Sequence, residues 1–135
     1  MSNIVREFSH VHDNQINAYR VDISNQTLTL ETTYENQEKT EIIFTGWMAH
    51  RFENVIYCNI ILDITQVTVD YYINSNQEEV TEALRYGFPA CFKSIAALKE
   101  YLLNEKYNIY EISSSLGLAG TIIAKDIAVN VNSME

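Results

Sequence analysis

The side chains with the composition of a metal site are His10, His12, Asp13 and His50. A His-x-His pair on an extended strand sets both imidazoles on one face, and a third histidine brought alongside would supply a third ligand. No second closely spaced ligand pair accompanies them, so the histidines read as polar or hydrogen-bonded surface groups and no metal is assigned. Carboxylate chemistry has one candidate pair, Asp63 and Asp70, next to Tyr71 and Tyr72. General acid–base work needs such groups in a cleft, but a place in a central strand makes each aspartate either outward-facing or buried against an arginine. A small-ligand or catalytic pocket near Asp63, Tyr71 and the histidines is therefore kept as an alternative reading.

Nucleophilic candidates are weaker. Ser113, Ser114 and Ser115 precede Leu116-Gly117-Leu118-Ala119-Gly120, but the strand-turn-helix setting of a nucleophile elbow or phosphate loop is missing. The segment reads as a tight connection between two strands. Cys91 stands between the end of one expected helix and the start of another, where a helix N-terminus can stabilise a thiolate; Phe88, Ala90 and Phe92 around it favour burial instead. Cys58 has apolar neighbours too, and the start of the sequence carries neither a basic leader nor a long apolar run. Both cysteines are expected as reduced core thiols in a cytoplasmic protein. No catalytic residue and no cofactor is assigned.

Charge narrows the partners. Nine Lys and Arg against eighteen Asp and Glu give a net charge of -9. Such a balance repels phosphate backbones and anionic lipid, which argues against nucleic-acid and membrane binding. Between Arg51 and Arg85 the sequence has no Lys or Arg, while Glu53, Asp63, Asp70, Glu78, Glu79 and Glu82 fall inside that gap. Glu53, Glu78, Glu79 and Glu82 are the candidate partner-binding residues, on a docking surface for a basic protein. A solvated face that only keeps the chain soluble is the plainer reading.

The elements that would position these residues follow from periodicity. With 135 residues, 47% of them hydrophobic, one proline and four glycines, the chain fits a single domain, 1–135, with Met1 to Asn14 as a flexible arm. Tyr19, Val21 and Ile23, then Leu28, Leu30, Thr32 and Tyr34, alternate with polar residues around a turn at Ser24-Asn25-Gln26. After a second turn at Glu35-Asn36-Gln37-Glu38, Thr40 to Met48 returns as the third strand of a meander. Gly46 marks a bulge or a close backbone approach. From Val55 to Ile73 the chain is β-branched and aromatic, without Gly or Pro, and reads as strand, split near Thr65-Gln66 where the parity of apolar positions changes.

Beyond it, Ser75-Asn76-Gln77-Glu78 has capping-box spacing and opens a helix over about 76–86, closed by Gly87 and Pro89. A second helix, about 95–106, follows Ser94, and strands return from Tyr107 to Ser113 and from Thr121 to Val131. The expected class is α+β: an antiparallel, meander-rich sheet with two helices on one face. Its other face is expected to meet solvent or a second copy in a homodimer, an arrangement that nine tyrosines suit. A self-associating structural domain is thus a further alternative.

Four short motifs then carry a resemblance. His50-x-Phe52-x-Asn54, Asn59-Ile60-Ile61-x-Asp63-Ile64, Arg85-Tyr86-Gly87-Phe88-Pro89 and Ser115-x-Gly117-Leu118-x-Gly120 look like a group of small uncharacterised bacterial proteins. Some of that group are suspected immunity proteins, which protect a cell from its own secreted polymorphic toxin. The resemblance covers the chain from about Gln15 onward. It implies a non-enzymatic cytosolic α+β binding protein without a cofactor, whose partner would be a basic toxin domain; it carries over no catalytic residue.

Overall fold

Alternation and helical spacing are realised in a computed structural model that describes residues 4–8, 11–34 and 38–133. Within these residues the strands are β1 (Ile4–Glu7), β2 (Gln15–Asp22), β3 (Thr27–Tyr34), β4 (Glu38–Thr45), β5 (Ala49–Glu53), β6 (Asn59–Val67), β7 (Asn108–Leu116), β8 (Ala119–Ala124) and β9 (Asp126–Ser133). The helices are α1 (Val69–Ser75), α2 (Gln77–Leu84) and α3 (Ile95–Asn104). All pairings are antiparallel, in the order β5-β8-β7-β6-β2-β3-β4-β9, with β1 beside the C-terminal end of β6. The α+β class and the β2–β3–β4 meander are as the patterning predicts, but there are three described helices rather than two.

The meander forms because its apolar residues share one parity: Leu28 lies opposite Val21 and Phe44, Leu30 opposite Tyr19 and Ile42. Asp22 holds the first turn by accepting hydrogen bonds from the Asn25 side chain (2.7 Å) and backbone N–H (3.1 Å). Those bonds, the side-chain one foremost, lower the Asp22 pKa. Of the second expected turn, residues 35–37 lie outside the described residues.

This sheet cannot be flat. β8 and β9 stand six places apart in the strand order yet are joined through the single residue Lys125. Six strand spacings are about 29 Å, while the chain spans about 7 Å across that link. The sheet therefore folds over, and two strands of the chain switch halves at one corner. There Lys125 N–H donates to Thr45 O (3.0 Å) and Met48 N–H to Ile123 O (2.9 Å). Gly46 has φ +61°, and a Cβ added to it would sit 2.8 Å from Lys125 Cβ, so the close approach here is by the Lys125 side-chain stem rather than by another backbone.

Folding over corrects the expectation of a free sheet face. Leu28, Leu30, Ile42 and Phe44 of one half meet Ile61, Ile64, Tyr110, Ile112 and Ile122 of the other. The Phe44 and Tyr110 rings lie 5.3 Å apart across the interior. The helices cover the opposite surface of β6, β7 and β8, where Val67, Ile109 and Ile123 pack against Val69, Tyr72, Ile73, Val80, Leu98 and Leu102.

Several local expectations are corrected. Strand β6 occupies only Asn59–Val67; Thr68 then ends it, its Oγ1 accepting the Tyr71 N–H (3.0 Å) as the cap of α1. Val69, Tyr72 and Ile73 are a buried helical stripe, and burying it against the sheet outweighs the β-propensity of its residues. The predicted capping box does not form: Ser75 closes α1, and Asn76, between the helices, donates its side chain back to Tyr72 O (2.8 Å). Against β7 the register runs unbroken through Thr65-Gln66, its shifts falling earlier at Ile60–Ile61 and Ile61–Asp63; the apolar parity changes after Ile64 because both faces of β6 are covered, Ile64 in the inner core and Val67 under the helices. His50 to Glu53, to which the patterning gave no element, belongs to β5 and pairs with β8. Within the Met1 to Asn14 arm, Ile4–Glu7 is strand, and Phe8 and Val11 are buried in the inner core.

The Ser94 start is as predicted, with Ser94 Oγ accepting the Ala97 N–H (3.1 Å).

Candidate functional site

Three of the four candidate acids converge on α2. Val80 and Ala83 turn inward, which puts Glu78, Glu79 and Glu82 on the outer side of the helix. Together with Arg51, Ala83 and Tyr86 they line one open depression. Arg51 reaches it from β5, its guanidinium 5.4 Å from the centroid of the Phe88 ring. Arg85 Nη1 lies 3.6 Å from Glu82 Oε2 on the exposed side.

The sequence gap without basic residues is thus filled in space by the two arginines that bound it. Three carboxylates against two guanidiniums leave a local charge of -1, so the surface is mixed rather than uniformly acidic. Glu53 is not among the residues lining that depression. It lies two residues beyond Arg51 on the same side of β5, about 7 Å on, opposite Ala119. Asp70, now on the first turn of α1, pairs with Lys99 of α3.

Beneath the depression, Arg51, Tyr72, Asn76, Glu79 and Phe88 help to line a cleft of about 40 Å³, room for a few waters but far below a drug-sized pocket. Burial raises the Tyr72 pKa; the charge of Arg51 opposes this, and Glu79 and Glu111 add to it. The phenol therefore stays protonated and can donate.

The histidines serve other ends. His10 lies outside the described residues. His12 Nδ1–H donates to Leu62 O (2.6 Å), and its Nε2 lies 3.4 Å from Asp13 Oδ1. His50 packs in an aromatic group, tilted against Trp47 and Phe52 and edge-on to Tyr19. Its Nδ1 accepts from Trp47 Nε1–H (3.1 Å), which leaves the proton on Nε2, and burial lowers its pKa. Among the described residues no group of three His, Cys, Asp or Glu is placed to hold a metal ion.

Asp63 accepts from Thr65 Oγ1 (3.1 Å) and lines a shallow depression with Glu7, His12 and Leu62. Tyr71 packs into the helix layer instead. Ser113, Ser114 and Ser115 belong to β7, and the expected tight connection to β8 follows at Gly117-Leu118. Both cysteines are free, but Cys91 is exposed and Cys58 half-buried, so neither is the core thiol predicted. The loop after α2 leaves the Cys91 side chain outside despite its apolar neighbours.

Sequence reasoning set Asn59 in a motif but gave it no role of its own. Its buried side chain accepts from Leu118 N–H (2.9 Å) and Ile56 N–H (3.0 Å), and donates to Ile56 O (2.6 Å). One amide thus ties the β7–β8 hairpin to the loop before β6. The signal was a lone amide at the head of an apolar strand, where buried backbone groups need a partner.

No protein-family model matches the chain, and no curated protein matches it in sequence. Among solved structures, the crystal structure of an uncharacterized protein from Neisseria gonorrhoeae is similar, with a TM-score of 0.52 and 12% sequence identity over 93% of this chain and 95% of that one. The likeness is one of fold. In this structure no described helix is long and apolar enough to cross a membrane.

Proposed function

We propose that the chain is a protein-binding module of the immunity type, working without a cofactor in the cytoplasm and docking a basic protein domain on the α2–β5 surface. The observation that carries this reading is Tyr86, 83% exposed, in the same depression as Arg51, Glu78, Glu79 and Glu82. An outward tyrosine beside an arginine, ringed by charges, has the make-up of an interface anchor. The net charge of -9 draws a basic partner in from a distance, while the alternating local charges fix its orientation. The immunity resemblance points to the same class of partner.

The test begins with proteins that copurify with the chain from its native cell. E78K/E79K/E82K exchanges three negative charges for three positive ones on exposed positions, so folding is retained while association slows and its salt dependence weakens or reverses. Tyr86→Ala weakens binding by roughly 30-fold, the order of a 2 kcal/mol anchor. A partner held with unchanged affinity by both variants refutes this docking surface.

A further inference from the structure

Strand β9 closes one end of the strand order and, among the described residues, pairs only with β4, in unbroken register from Asp126 opposite Thr45 to Ser133 opposite Glu38. Among the described residues its second edge is thus open for backbone pairing, except that the Ile127 N–H already donates to its neighbour Asp126 Oδ1 (2.9 Å) and would have to exchange that bond for one across the contact. Soluble proteins guard such edges with charge, proline, bulges or very short strands. Two other edges among the described residues are guarded: β5 has five residues, including Arg51 and Glu53. The part of β2 beyond its contact with β6 has a register shift, Arg20 and Asp22. β9 has eight residues, no proline and no charge after Asp126, in a chain of net charge -9.

We infer that this edge binds the same edge of a second copy, antiparallel, so that the sheet runs on across a two-fold axis. The partner is set by the strand itself. Ile127 and Val129 pack on the inner core, and Val131 continues that side at 50% exposure, whereas Ala128 and Asn130 alternate to the other side. Opposed residues of an antiparallel pair point the same way, so apolar meets apolar only when the axis passes through a residue rather than between two. With the axis on Val129, that residue faces its own copy, and Ile127 faces Val131 twice over. The two Asp126 carboxylates then lie about 20 Å apart, beyond the screening length at physiological salt. This isologous contact closes as a dimer, and it does not rest on the docking reading above.

Sedimentation of the full chain from low micromolar to near-millimolar concentration tests it. The wild type is expected to shift from monomer to dimer, and Val131→Lys to weaken the dimer at least tenfold, with circular dichroism and dilute-solution melting unchanged. In a background with Cys58 and Cys91 changed to Ser, Val129→Cys is expected to form a disulfide-linked dimer under mild oxidant, and Ala128→Cys, which would face Asn130, is not. A wild type that stays monomeric throughout overturns the inference. So does a dimer that Val131→Lys leaves intact and Val129→Cys fails to cross-link, since its contact would then lie elsewhere.

Discussion

Replacing Asn59 with Ala removes three hydrogen bonds with unequal consequences. Leu118 is 1% exposed, so its N–H, now 2.9 Å from Asn59 Oδ1, would lose its partner where water does not reach, a loss of about 1–3 kcal/mol. Ile56 is exposed; water can take over its N–H and C=O, and each costs only about 0.5–1 kcal/mol. The sum is about 2–5 kcal/mol, a large share of a stability of ~5–15 kcal/mol. Urea unfolding should show the midpoint lowered by roughly 1–3 M at unchanged slope, and thermal unfolding a fall of about 7–18 °C. A coupled variant sharpens the test. Gly117 has φ +79°, and a Cβ there would lie 2.2 Å from Asn59 Oδ1 and 2.9 Å from Cys58 O. Gly117→Ala should therefore cost less in the Asn59→Ala background, with a coupling of at least ~1 kcal/mol. A loss below about 1 kcal/mol for Asn59→Ala, or strict additivity of the pair, would refute the keystone role.

Two further predictions concern the helix layer and the neighbouring sheet. Thr68→Ala should destabilise by about 1 kcal/mol through the lost α1 cap, whereas Ser75→Ala should stay within ~0.5 kcal/mol because no cap forms there; chemical denaturation of both decides which start signal the fold uses. Burial raises the Glu111 pKa, so the native state holds that proton more tightly than the unfolded chain. The contribution is present below the unfolded value and is lost as pH rises through the folded one. Glu111→Gln should accordingly stabilise at pH 7 and have little effect near pH 4, as read from urea midpoints at both.

What the sequence made legible was local. The β2–β3–β4 meander, the Asp22–Gln26 turn and the Ser94 cap each rest on neighbours within a few residues, and each is present. The α1 helix was hidden because Val69, Tyr71, Tyr72 and Ile73 favour strands in isolation, although Val69, Tyr72 and Ile73 also spell a helical stripe; packing on Val67, Ile109 and Ile123 settles the competition. The folded-over sheet was illegible because it depends on pairings of β4 with β9 and β5 with β8, between segments far apart in the chain. Of the candidate site, the exposure of Glu78, Glu79 and Glu82 was readable from the α2 pattern. Arg51 among them was not, since only the β5–β8 pairing carries it there.

The crossing of the chain between the two sheet halves has a consequence during synthesis. Strands at 38–53 wait for partners at 119–133, so a ribosome that has just finished α3 has still to add the residues that cover them. At ~5–20 residues per second, the stretch from Asn104 to Ser133 takes roughly 1.5–6 s. For that interval Ile42, Phe44 and Phe52 sit on half-built ribbons, which makes the nascent polypeptide a natural client for a holding chaperone and a poor one for early compaction.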